Sequence, residues 1–185
     1  MVEVTVLSNA FSRNMKSLAL PILILTSFHL YAQQAAIPHW FIATFTKQYL
    51  NQKYELSRYL KPTFLEADFN GDGIKDVATV VTEKKTHKPG ILLMHGNTNQ
   101  QFVFGAGSKF GPGSDNFKWL KRWRLYHGKV VHETILNQDG DIKGSRTIKL
   151  KTPGIEMLTM EDIEPSPVAV IYWNGKKYIW IHEGE

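Results

Sequence analysis

From Phe64 to its end the chain is written in short apolar, β-branched runs, each stopped by Gly, Asn, Asp or Pro. That punctuation is the tightest constraint on the fold. "DVATVVTE" (76–83) is too short and too rich in valine and threonine for a stable helix, and the polar "KKTHKPG" behind it is a turn. "ILLMHGNTNQQFVFG" (91–105) is two apolar runs about a Gly-Asn turn, hence a hairpin. "FGAGSKFGPGSDNF" (104–117) reads as a long surface loop. "KWLKRWRLYHGKVVHETILN" (118–137) holds two strands about His127-Gly128, and "DGDIKGSRTIKL" (139–150) a turn and a strand. The last segment, "PSPVAVIYWNGKKYIWIHEGE" (165–185), is a hairpin on Asn174-Gly175, a dipeptide that suits a type I′ turn because both central residues there need positive φ. Ahead of these, Phe41, Phe45 and Tyr49 in "IPHWFIATFTKQYLNQ" stand at i, i+4, i+8 and predict one short helix entered after Pro38, with a strand as the alternative. Roughly eight strands and one N-terminal helix predict a mainly β, hairpin-rich domain, arranged as a sandwich or as part of a propeller.

The N-terminal stretch has a different composition. A basic start at Met15-Lys16 leads into "LALPILILTSFHLYA", which ends at Ala32. That is the layout of a signal peptide, over residues 1–32, with Met15 as its natural first residue. The apolar run is too short and broken for a span, which needs ~20 apolar residues. The expectation is export to the periplasm or the extracellular space, with no stable membrane span after cleavage. Residues 33–185 would form a single β-rich domain, enough chain for a real core.

The sequence has no cysteine. This excludes disulfides, thiolate zinc sites and a cysteine nucleophile, so stability has to come from packing or a bound ion. The net charge of +5 is scattered, apart from Lys118, Lys121, Arg122 and Arg124, and reads as a solvated face rather than a nucleic-acid site.

The densest chemistry lies in "DFNGDGIKD", residues 68–76. Side chains bearing oxygen stand at alternate places, Asp68, Asn70 and Asp72, and again at Asp76. In a curling chain every second side chain turns inward, so the first three converge, and the carbonyl of Ile74 can join them. Gly71 and Gly73 permit the tight curl. Three carboxylates and an amide make a nest of hard oxygens suited to Ca²⁺, which takes about 6–8 such ligands in loose geometry. With no His or Cys in the loop, zinc and copper are poor fits. It is not an EF-hand, because Thr79 stands where the bidentate Glu would be and a strand follows in place of a helix. The same residues also suit a metal-free acidic turn capping a strand.

This stretch resembles the calcium loop of FG-GAP/VCBS-type repeats, the blades of integrin-like β-propellers. The resemblance implies Asp68, Asn70, Asp72 and Asp76 as side-chain ligands of Ca²⁺, with Ile74 giving its carbonyl. A propeller needs several such loops, and "NQDGDIKG" does not supply a second, since Ser145 occupies its ninth place. From about Tyr59 to Glu185 the chain also resembles small exported bacterial proteins. These carry one such loop, an "FVFGAG…FG…DNFKW"-like loop and a "YWNGKKYIW"-like hairpin. That likeness implies export and a calcium-type loop, and no activity.

No catalytic residue is assigned. The histidines form no metal pair, Ser108 lies in no nucleophile elbow, and Glu133, Glu156, Glu161, Asp162 and Glu164 fall in no pattern. Trp119, Trp123, Tyr172, Trp173, Tyr178 and Trp180 gather in two segments. Strand alternation separates Tyr172 from Trp173, so one of them is expected to face outward, where it could meet a sugar ring or a protein. The leading reading is a non-catalytic, exported, calcium-binding module whose partner is a protein or a glycan. The alternative is a secreted or envelope hydrolase acting on glycan or peptide, with a structural calcium.

Overall fold

The computed structural model describes residues 36–112 and 114–183. The signal-peptide reading of residues 1–32 lies outside them. The chain opens with two short helices, α1 (His39–Lys47) and α2 (Leu50–Lys53). Eleven strands follow: β1 (Tyr54–Leu56), β2 (Phe64–Ala67), β3 (Asp76–Glu83), β4 (Pro89–Met94), β5 (Gln101–Gly105), β6 (Arg122–Tyr126), β7 (Val130–Leu136), β8 (Ile142–Lys149), β9 (Gly154–Glu161), β10 (Glu164–Trp173) and β11 (Tyr178–His182). The protein is mainly β, and every strand pairing is antiparallel. Among the described residues no helix is long and apolar enough to cross a membrane.

The first sheet runs β1-β3-β4-β5, with β2 sharing with β1 the other edge of β3. The second runs β11-β10-β9-β6, and β7 pairs with β8 alone. Side-chain alternation then stacks the layers. Ala78, Val80, Ile91 and Leu93 of the first sheet share a core with Trp123, Ile155, Met157 and Ile171 of the second. The opposite face of the first sheet, Val77, Val81, Leu92 and Met94, is covered by Phe41 and Phe45 of α1. The outer face of the second sheet, Val170, Tyr172 and Ile181, packs on Val131 and Leu150 at the base of the β7–β8 hairpin. Because both faces of the first sheet are covered, β3 and β4 are nearly solid apolar runs.

Several sequence expectations change in detail. The helix ends one turn early: Tyr49 takes φ 58°, outside the helical range, and is 69 % exposed, so the third member of the apolar stripe never reaches the core. A second helical turn, α2, follows it without a periodic signal. The strands on either side of His127-Gly128 exist but do not pair. β6 goes to β9 and carries Trp123 into the shared core, while β7 turns back on β8. The Gly-rich segment is not wholly surface, since Ala106 and Phe117 are buried in it. Tyr172 and Trp173 do fall on opposite faces, but both faces are packed, leaving Tyr172 buried and Trp173 half-buried.

The last hairpin closes at Trp173↔Tyr178, and its turn is centred one residue later than the dipeptide suggested. The Asn174 N–H donates to the Lys177 carbonyl, so the central pair is Gly175-Lys176. Of the two, only Gly175, at φ 93°, is left-handed, whereas a type I′ turn needs positive φ at both central residues. Asn174 Oδ1 accepts the N–H groups of Lys176 and Lys177, each at 3.0 Å. A Cβ at Gly175 would touch nothing within 4 Å, so a side chain there meets backbone strain alone. Gly175→Val is expected to cost about 1–2 kcal/mol. An unchanged denaturation midpoint would remove the turn assignment.

On the second sheet Arg124 pairs with the buried Glu156, and Glu183 stands beside them with Oε2 buried and without a hydrogen-bond partner among the described residues. Burial, and then Glu156, push the Glu183 carboxyl from 4.5 up to about 7, against the pull of Arg124. A folded-state pKa above the unfolded one favours the protonated acid. Its contribution is therefore complete below about 4.5 and is lost as pH rises toward 7. Wild type should lose stability relative to Glu183→Gln across that window, measured as the difference between their urea midpoints. Parallel curves for the two proteins would show that the group is not held as described.

Candidate functional site

The acidic loop is the connection between β2 and β3, closed by the Ala67↔Asp76 pair. Phe69 anchors it by pointing into the shared core, where it is 1 % exposed. The remaining residues curl around Asp68. Its Oδ1 accepts the N–H groups of Gly71 (2.7 Å) and Asp72 (3.1 Å), and its Oδ2 that of Gly73 (2.8 Å). Three successive backbone donors thus converge on one carboxylate. The curl needs left-handed backbone at Gly71 (φ 82°) and Gly73 (φ 86°).

Asn70 and Asp72 turn toward the same centre. Asn70 Oδ1 accepts the Asp72 N–H (3.0 Å), Asp72 Oδ1 accepts the Ile74 N–H (2.8 Å), and Asn70 Nδ2 donates to Asp72 Oδ2 (2.7 Å). The Ile74 N–H, and then Asn70, hold the exposed Asp72 carboxyl below its ordinary value. Ile74 keeps its side chain half exposed.

Asp76 is placed differently. It is 0 % exposed, and its oxygens are spent on backbone: Oδ2 accepts from Phe69 (2.9 Å) and Asn70 (3.3 Å), and Oδ1 from Gly96 (3.0 Å). Burial raises its pKa, opposed by those N–H groups and by His95. The Gly96 bond depends on close approach, for a Cβ at Gly96 would lie 2.2 Å from the Lys75 carbonyl oxygen. The structure therefore brings Asp68, Asn70 and Asp72 together and sets Asp76 behind them as the buried pin of the loop. Among the described residues no three His, Asp or Glu side chains cluster tightly enough to enclose a metal on their own. An ion here would need the Asn70 amide and backbone carbonyls as well. The donor set suits such an ion. It consists entirely of oxygen, and a carboxylate with about four acceptor positions keeps some free after the backbone bonds at Asp68 and Asp72.

Sequence reasoning missed what lies beneath. His95, 3 % exposed, has Nε2 2.8 Å from the Tyr178 hydroxyl and is ringed by Phe102 and Trp173. Burial lowers the His95 pKa, although Asp76, Asp72 and Asp68 pull it upward, and burial also raises that of Tyr178. The pair is a neutral polar plug under the loop. The only signal for it was a histidine directly after the apolar run of β4, and nothing local pointed to Tyr178. No protein-family model, curated protein or solved structure matches the chain.

Proposed function

We propose that the protein is an exported calcium-binding module, non-catalytic, working in the periplasm or outside the cell on a protein or glycan partner. The observation that carries the calcium reading is the convergence of Gly71, Asp72 and Gly73 N–H groups on Asp68, with the Asn70 and Asp72 side chains hydrogen-bonded to each other beside it. Side-chain oxygens of Asp68, Asn70 and Asp72 and the Ile74 carbonyl would hold the ion, with Asp76 pinning the loop behind them rather than reaching the ion, and the ion would relieve repulsion among the carboxylates. The non-catalytic reading has the support that Glu133 and Glu156 are each paired with an arginine. Export is supported by the layout of residues 16–32.

The test is calorimetry with Ca²⁺, together with thermal melting in calcium and in chelator. Binding to the folded state alone adds about 2.7 kcal/mol at a free ion level ~100-fold above Kd. Asp72→Ala should abolish most of that gain, and Asp139→Ala, in the β7–β8 turn, should leave it. No heat at millimolar calcium and a melting temperature indifferent to chelator would leave only an acidic turn.

A further inference from the structure

Beside the loop lies a cleft of about 660 Å³, within the size range of small-ligand sites. One wall is the loop itself, through Asp68 and Asn70. The facing wall is the end of β8 and the segment linking it to β9, through Lys149 and Lys151, and the third is the β10–β11 turn, through Trp173 and Asn174. The walls are tied to one another. Thr152 Oγ1 donates to the Phe69 carbonyl at 2.9 Å, and the Lys151 N–H donates to the Tyr172 hydroxyl at 3.0 Å. The cleft is therefore a fixed feature of three segments far apart in sequence.

Its chemistry is asymmetric. Lys149 and Lys151, both exposed, stand two residues apart on one wall, and neither makes an ion pair among the described residues. Asp68 stands on the other. Trp173 gives an aromatic surface backed by Phe102 and Tyr178. An occupant must offer negative charge on one side only, hydroxyl donors to the acidic wall, and an apolar face to the indole. A DNA strand has no free hydroxyl on its internal units to donate to Asp68. A sugar acid carries one carboxylate per ring, with hydroxyls on the far side and C–H groups on the ring face.

We infer that this cleft binds an acidic saccharide of the uronate class, its carboxylate at the Lys149–Lys151 wall, its hydroxyls toward Asp68 and Asn70, and a ring against Trp173. This supplies the partner of the binding module and rests on that reading, but not on the ion. Charge-assisted hydrogen bonds at the lysines give affinity, and the indole gives orientation.

The test is calorimetry of the full chain with a galacturonate hexamer, a neutral glucose hexamer and an oligothymidylate of similar length, each in calcium and in chelator. The galacturonate hexamer should bind, and the neutral hexamer and the oligothymidylate should bind at least ~10-fold more weakly, a gap of about 1.4 kcal/mol. The double variant Lys149→Gln/Lys151→Gln, with its fold checked by circular dichroism, should lose a similar factor, while Lys143→Gln, on β8 but outside the cleft, should not. Galacturonate binding that depends on the two lysines upholds the inference even if calcium leaves the melting temperature unmoved, which would overturn only the ion. No galacturonate binding, equal binding of the neutral hexamer or the oligothymidylate, or equal loss in Lys143→Gln overturns the inference, whatever calcium does.

Discussion

Asp76→Ala is expected to destabilise the protein by roughly 3 kcal/mol or more, and to do so in chelator as well as in calcium. The carboxylate is fully buried and accepts three backbone N–H groups, from Phe69, Asn70 and Gly96. Its removal strands those donors, at about 1–3 kcal/mol for each one that water cannot reach. Asp76→Asn should fall between, since a carboxamide has one acceptor oxygen and must turn its NH₂ toward one set of donors. Asp72→Ala is the contrast. Asp72 is exposed, so in chelator its loss should stay within about 0.5 kcal/mol, as is usual for surface positions. Urea denaturation in chelator separates the two roles. If Asp76→Ala and Asp72→Ala have the same midpoint there, Asp76 is not the pin of the loop.

The second large effect is expected at Phe41. It is 0 % exposed, stacks on Phe45 with centroids 6.4 Å apart, and meets Trp40 edge-on at 5.9 Å. Through Phe41 the short helix α1 covers Val77, Val81, Leu92 and Met94 of the central strands. Phe41→Ala should cost about 3–5 kcal/mol, the range for emptying a large aromatic site in a packed core. Ile42, one residue on, is exposed, and Ile42→Ala should move the urea midpoint little. Equal shifts for the two variants would mean that the helix does not seal that face.

What the sequence disclosed was local. The alternate spacing of Asp68, Asn70 and Asp72 was legible because inward turning of every second residue is a property of the chain itself, and the loop does curl about Asp68. The same spacing could not tell that Asp76 would be withdrawn from the others. That depends on an N–H from Gly96 in the next hairpin, and on a glycine there for steric reasons. The His95–Tyr178 pair joins residues 83 positions apart and left no local trace. Strands were legible for the same reason as the loop, but their partners were not. Alternation says which face is apolar, not which neighbour will cover it, so β6 and β7 read as adjacent strands and in fact belong to different sheets. Tyr49 shows the limit of helical spacing: it kept the period but not the helix.

The two-sided covering of the first sheet bears on how such a unit could multiply. Sheets arranged radially in a ring must leave both faces open to the neighbouring blades. Here one face of the sheet behind the acidic loop is sealed by Phe41 and Phe45, and the other by the β6, β9 and β10 side chains. A tandem duplicate of the loop and its strands would find neither face of that sheet free to stack on. Copies of this domain in a longer chain would sit as separate beads, each with its own loop, and any gain from repetition would come from avidity between tethered sites rather than from a shared core.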